Sequence, residues 1–311
     1  MVAVALIGYG EVGRILAEDL RAAGHTVSAF DLRLVGASGA EGQDAVRDRM
    51  RLHAESHGVR LGVDHVDAVG GAEVVVCAVT ADQTVAAAEA AAPGLAAGRV
   101  FLDLNSASPG AKGRAAAHVA SVGGRYVEGA VMTSVPPWRI RVPLLIGGPH
   151  AADAVATLSQ LGFVPEVASE RLGVASATKM CRSIIIKGME AMFVESLIAA
   201  RHLGVEQSVL ASLGETFPGI DWQRQASYFF QRVIAHGRRR AEEMREAAAT
   251  VREAGLQPSS AVATSERQAW MAALAERGVF GPPDAPDFAR SHDWRTEADR
   301  VLAVIASGEA R

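Results

Sequence analysis

Gly8, Tyr9, Gly10, Glu11, Val12 and Gly13 set three glycines at GxGxxG spacing between a short apolar run and a longer amphipathic one. No other feature of the chain constrains its fold as much. The run from Val2 to Ile7 reads as a buried strand, and Val12 to Ala23 as a helix. Asp31 closes the next β-branched run, Thr26 to Phe30, at the distance a dinucleotide-binding unit requires. There the first glycine permits the tight turn, the second lets the backbone approach a pyrophosphate, and the third lets helix and strand pack closely. The helix that starts at this turn offers unpaired N–H groups to an anion. Asp31 is placed to accept hydrogen bonds from ribose hydroxyls, which favours NAD, because a carboxylate repels a 2′-phosphate. Arg33 can balance such a phosphate, so NADP stays open.

The alternation continues through the first half. Strands are expected at Glu73 to Val79, Val100 to Leu104, Tyr126 to Val131 and Val142 to Ile146, with helices at Gln83 to Ala92 and Gly110 to Val122. This is the pattern of an α/β Rossmann-type, doubly wound, mainly parallel sheet. The strand ends Ala78, Val79 and Thr80 join the expected cofactor contacts. The segment from Arg33 to Gly71, charged and dotted with glycine, is read as peripheral, with a short helix around Asp44 to His57. After about Pro165 the strand signals stop, and long helical patterns cover Val174 to Leu203, Val205 to Leu213, Trp222 to Ala254 and Thr264 to Arg277. Gly278 to Pro286, with three prolines, should be a loop before a last helix ending near Ser307. The expected division is a dinucleotide-binding domain over 1–168 and an all-helical domain over 169–311, with a ligand cleft between them.

Length and composition agree. A chain of 311 residues, 49% hydrophobic and 21% charged, is long enough for two folded domains. A net charge of −4 gives no reason to expect nucleic acid or an anionic membrane, so the expected partner is a small molecule. The two cysteines, Cys77 and Cys181, lie among apolar residues, which argues against disulfides and thiolate zinc and for a reduced, cytoplasmic protein. The apolar start runs straight into glycines without a basic leader and reads as a strand, not a signal peptide. No stretch offers the ~18–20 apolar residues of a membrane span. His53, His57 and His65 are read as lacking metal-site spacing on one element, and no metal is assigned.

Lys179 sits near the start of an expected long helix, beside an apolar run from Met180 to Met192 that reads as buried. At 100° per residue, Arg182, Ser183, Lys187 and Glu190 fall within roughly 80° of it, forming one polar stripe. A buried ion-pair network would look the same. The functional reading is sharper: hydride transfer to or from a carbinol carbon needs an acid/base group, and a desolvated lysine crowded by cations suits that task near neutrality. Arg182 and Lys187 would lower its pKa and hold an anionic substrate.

The GYGEVG turn, the DLNSASP segment from Asp103 to Pro109, YVEGAVMTS from Tyr126 to Ser134 and GVASATKMCRS from Gly173 to Ser183 together resemble the β-hydroxyacid dehydrogenases. That family includes 3-hydroxyisobutyrate and 6-phosphogluconate dehydrogenases. The resemblance implies a nicotinamide pocket lined by Asn105 and Ser106, Lys179 as catalytic acid/base, and a homodimer. Two departures from the family pattern stand out: Met132, Thr133 and Ser134 replace a Ser-Gly-Gly turn that binds the substrate carboxylate, and Ser183 replaces an asparagine one turn after the lysine. These departures point to a separate branch with its own helical C-terminal domain and altered substrate recognition. The implied activity is NAD(P)-dependent oxidation or reduction of a small, acidic hydroxy compound, oriented by Ser106, Met132, Thr133, Ser134, Arg182, Ser183 and Lys187. The alternatives are an imine reductase and a non-catalytic NAD(P)-binding sensor.

Further along, His236 and Arg238 to Arg240 precede Glu242, Glu243 and Glu246, and charge pairing along the helix accounts for most of that cluster. Trp222, Tyr228, Phe229 and Phe230 read as helix packing.

Overall fold

The computed structural model describes residues 1–35, 43–282, 285 and 288–308. The stretch following Arg33 and the expected Gly278 to Pro286 loop lie partly outside them. The chain divides into two compact units, Met1–Met180 and Cys181–Arg311.

The first unit is built on one eight-stranded sheet. Its strands are β1 (Ala3–Ile7), β2 (Thr26–Phe30), β3 (Arg60–Leu61), β4 (Val74–Cys77), β5 (Val100–Asp103), β6 (Arg125–Val131), β7 (Pro143–Gly147) and β8 (Val164–Ser169), in the order β3-β2-β1-β4-β5-β6-β7-β8. All neighbours are parallel except β6 and β7. The first six strands follow the Rossmann order, in which the strand order reverses between β1 and β4 and ligands bind beyond the carboxyl ends.

Strand residues alternate between two cores. Val4, Leu6, Val74, Val76, Val100 and Leu102 pack with Leu16, Leu20, Met50 and Leu158, contributed by α1 (Glu11–Ala22), α2 (Gln43–Ser56) and α6 (Ala151–Gln160). Ala5, Ile7, Val75, Cys77 and Phe101 pack with Ala68, Ala88, Ala91 and Val119, contributed by α3 (His65–Val69), α4 (Thr84–Ala91) and α5 (Pro109–Ser121). A sheet buried on both faces explains why its inner strands are nearly continuous apolar runs.

Two strands escape the sequence pattern. β3 is two residues long, and β8 carries Pro165 and Glu166 on the sheet's outer edge with most residues exposed or half-exposed. An edge strand tolerates proline and polar side chains because one side of its backbone is unpaired.

The second unit is helical. Part of α7 (Val174–Leu203), α8 (Glu206–Thr216), α9 (Trp222–Glu253), α10 (Ser259–Glu276) and α11 (Trp294–Ala306) enclose a core of Val194, Leu197, Phe230, Val233, Met271, Leu274, Trp294 and Val301. Asp221 starts α9 by accepting from the Arg224 N–H at 3.0 Å. α9 and α10 approach closely at Gly237, where a Cβ would stand 2.6 Å from the Gln268 carbonyl oxygen. Phe193 stacks on Trp222 and meets Phe229 edge-on, with centroids 5.1 and 5.2 Å apart. Trp222, Phe229 and Phe230 therefore pack helices as expected, whereas Tyr228 is exposed. No described helix is long and apolar enough to cross a membrane.

Candidate active site

Register across the sheet sets Phe30, Ile7, Cys77 and Asp103, the last residues of their strands, in one row with Glu128 of β6. The segments that follow carry Asp31, Gly8, Ala78 to Thr80, Asn105 and Ser106, so the sheet brings the sequence-predicted cofactor residues to one edge.

Gly8 has φ +97°, a region L side chains rarely adopt, and any Cβ there would collide with the Ala78 carbonyl. A Cβ on Gly13 would collide with the Gly8 carbonyl. Gly10 precedes α1 and has no side chain to cap it, leaving the first-turn N–H groups open to an anion. These residues fit a dinucleotide pyrophosphate.

Asp31 is buried and already satisfied. Its oxygens accept from the Tyr9 N–H at 2.9 Å, the Arg33 N–H at 3.0 Å, and Arg33 Nε and Nη2 at 2.8 and 2.7 Å. Burial works to raise its pKa, but these bonds prevail and hold the carboxyl below the usual range. The Arg33 side chain is 54% exposed, so it can leave without unpacking the core.

Tyr9 is fully buried, and its phenol lies 2.8 Å from His53 Nδ1. His53 Nε2 lies 2.9 Å from Glu18, which also takes Arg139 Nη2 at 2.6 Å. Burial pushes the Tyr9 phenol up to about 12, while His53 and Arg139 hold Glu18 below its ordinary value. Ligand atoms of Glu18, His53 and His57 lie within 4.8 Å of one another. His53 and His57, four residues apart, do bring their rings together at the end of α2, contrary to the reading of their spacing. Arg139 already occupies Glu18, which opposes a cation there.

Beyond β4 and β5, Asn105 Oδ1 accepts from the Val79 N–H at 2.7 Å, and Asn105 Nδ2 donates to Cys77 Sγ at 3.4 Å. Burial, then Asp103, pushes the Cys77 thiol up to about 12, so it is no nucleophile. Asp103 anchors the loop from below: it pairs with fully buried Lys112 at 2.8 Å, accepts from Tyr126 Oη at 2.5 Å and takes the Asn105 N–H at 2.9 Å. Burial and then the Asp103 charge raise the Tyr126 phenol well above its usual value.

On that loop, Ser106 Oγ accepts from Lys179 Nζ at 2.6 Å, and both side chains are partly buried. Met132, Thr133 and Ser134 follow β6, the first half-buried and the others exposed.

The rest of the polar stripe belongs to the second unit. Lys187 donates to Ser183 Oγ and pairs with Glu243 Oε2, each at 2.9 Å. Burial holds the Lys187 ammonium below its usual pKa despite Glu243. Arg240 pairs with Glu190, and Arg182 is exposed. The apolar run beside it is not wholly buried, since Ile185 and Met192 are exposed, whereas Ser183, Lys187 and Glu190 of the polar stripe are buried. Within the basic cluster, Arg239 meets Glu243 one turn on, but Arg238 reaches Glu276 of α10 and Arg240 reaches α7.

Sequence reasoning assigned no role to Asp103, Lys112, Tyr126, Glu128, Glu18, His53 or Arg139. The available signal was a charge in an otherwise apolar strand, at Asp103 and Glu128, since such a group needs partners to be buried.

A doubly wound sheet with a glycine cradle, an acidic residue after β2 and a lysine over the β5 loop defines a nicotinamide-dependent dehydrogenase fold. Residues 3–154 match the NAD binding domain of 6-phosphogluconate dehydrogenase, and residues 200–271 match a domain of unknown function, DUF1932. The chain belongs to the family that joins an NAD binding domain of the 6-phosphogluconate dehydrogenase type to a DUF1932 helical domain. A conserved hypothetical protein from Sinorhizobium meliloti 1021 is 37% identical, with 96% of this chain and 97% of that one covered and a TM-score of 0.72. Mycobacterium tuberculosis 3-hydroxyisobutyrate dehydrogenase with L-serine is 18% identical over 97% and 99% of the two chains, TM-score 0.67. Streptomyces aurantiacus imine reductase is 19% identical over 96% and 99%, TM-score 0.51. The last two share the fold.

Proposed function

We propose that this chain moves a hydride between a nicotinamide cofactor and a small, acidic hydroxy compound, with Lys179 as general acid and base. The observation that carries the reading is the Lys179 Nζ to Ser106 Oγ bond beyond the carboxyl end of β5. When bound, the nicotinamide donates or accepts the hydride. The chain's own residues do the rest. Lys179 takes the proton from the carbinol hydroxyl during oxidation and returns it during reduction. Ser106 holds the ammonium in place and, with Met132, Thr133 and Ser134, orients the substrate. Asn105 fixes the Val79 N–H and with it the loop beside the cofactor.

NAD is the proposed cofactor, with Arg33 the residue that decides against or for NADP. The two free cysteines, one buried and one exposed, support a reduced cytoplasmic setting. The resemblance to the hydroxyacid dehydrogenases supports a homodimer, and light scattering that finds only monomer would contradict it.

The reading is tested by following NAD and NADP reduction against hydroxy acids, sugar acids and amino alcohols, with cyclic imines and NAD(P)H as the counter-screen. Oxidation of a hydroxy acid supports it. Imine reduction alone, or cofactor binding with no turnover, would favour the reductase or sensor alternatives.

A further inference from the structure

We propose that Glu128 is the positioning residue of Lys179, a buried carboxylate on β6 that holds the first turn of α7 and so sets where the ammonium lies. The inference rests on Lys179 being the acid/base group.

Glu128 is fully buried. Its Oε1 accepts from the N–H groups of Gly173 at 2.7 Å and Ala175 at 3.2 Å, and its Oε2 from the Ser176 N–H at 3.3 Å and Ser176 Oγ at 2.7 Å. All four donors are neutral and all serve the start of one helix. First-turn N–H groups have no partner within a helix, and a carboxylate there also meets the positive end of the helix dipole. Here the carboxylate comes from the sheet, 45 residues upstream of Gly173.

The fold makes room for it. Gly147 is the cross-strand partner of Glu128, and a Cβ on Gly147 would stand 2.5 Å from Glu128 Oε1. Gly173 has φ +95°, and a Cβ there would press on Pro109 at 3.2 Å, so the chain enters α7 through a backbone conformation suited to glycine.

Lys179 lies three residues after Ser176 and four after Ala175, on the face of α7 that Glu128 grips. A slip of one residue would turn the helix by about 100° and shift it ~1.5 Å along its axis. Either motion takes Nζ off Ser106. Glu128 therefore touches no reacting atom and acts through the helix.

The test uses the whole cofactor-free chain. Glu128→Gln replaces one acceptor oxygen by an NH2 that cannot accept from the helix N–H groups. Hydrogen exchange of residues 173–180 and competitive acetylation of Lys179 by acetic anhydride as a function of pH are read by mass spectrometry, with Lys187 as internal reference. The expected result is roughly tenfold faster exchange at Gly173 to Ser176 and faster labelling of Lys179, whose position relative to Ser106 is no longer fixed. Lys187 labelling stays as in the parent chain. Gly147→Ala keeps the carboxylate but displaces it, and Ser176→Ala removes one donor; both should alter Lys179 labelling in a folded protein even where Glu128→Gln does not fold. Unaltered Lys179 labelling in folded Glu128→Gln, or in both milder variants, would overturn the proposal. None of these readouts needs turnover, so they stand or fall separately from the acid/base assignment.

Discussion

Lys179 Nζ donates to Ser106 Oγ at 2.6 Å, joining a helix residue to the loop beyond β5 across 73 positions of sequence. The bond places a protonatable group beside the loop that Asn105 ties to the end of β4. A charged hydrogen bond of this kind contributes about 1.5–3 kcal/mol. Ser106→Ala should therefore lower kcat by ~10- to 100-fold while the NADH dissociation constant stays within about twofold of the parent value. Steady-state kinetics with fluorescence titration of NADH checks both.

Asp31 and Arg33 make the cofactor choice testable. The carboxylate spends its acceptors on Tyr9 and Arg33, so a ribose must displace the guanidinium to use them. Arg33→Ala should shift the ratio of NADPH to NADH dissociation constants by ~10-fold or more towards NADH, the scale of one charged hydrogen bond. Equilibrium titration with both cofactors measures it, and a ratio that does not move contradicts the assigned role.

Gly8 and Gly13 hold positions where a Cβ would meet backbone rather than a yielding side chain. Gly8→Ala adds a strained φ to that collision and should cost about 1–3 kcal/mol of stability. Cofactor binding should fall with it. Urea unfolding and NADH titration of the same preparation read the two effects together.

Lys187 and Glu243 form a nearly buried pair. Removing the carboxylate strands a buried ammonium, so Glu243→Gln should destabilise the chain by about 3–5 kcal/mol, and Lys187→Met combined with Glu243→Leu should recover most of that. Chemical denaturation of the three variants provides the comparison.

His236 supplies a pH dependence. Burial, then Arg232 and Arg239, push its pKa down to about 4, whereas the unfolded chain takes up that proton near 6.5. The unfolded state thus binds more protons between those values, so stability is complete above about 6.5 and declines as pH falls towards 4. His236→Gln should flatten that part of the Tm against pH curve relative to the parent chain.

The glycine turn was legible because its meaning is local: strand, turn, helix and Asp31 lie within one stretch of sequence. The long helices were legible for the same reason, as α7 shows at both ends. Partners far apart were not. Glu128 meets Gly173 and Ser176, Lys112 meets Asp103, and Arg139 meets Glu18 only once the sheet is assembled. A lone acid in YVEGAV shows that a partner is needed but does not name it. β8 was missed because exposure removes the apolar alternation that marks a strand. Ile185 and Met192 misled because hydrophobicity predicts burial only on average.

The proposed reaction depends on Lys179 exchanging the proton. Its most direct test is NAD(P)-linked turnover of Lys179→Ala on a hydroxy acid that the parent chain oxidises, with NADH affinity measured alongside. The expected result is unchanged affinity and a ~10²- to 10⁴-fold loss of kcat. Turnover at the parent rate would contradict it.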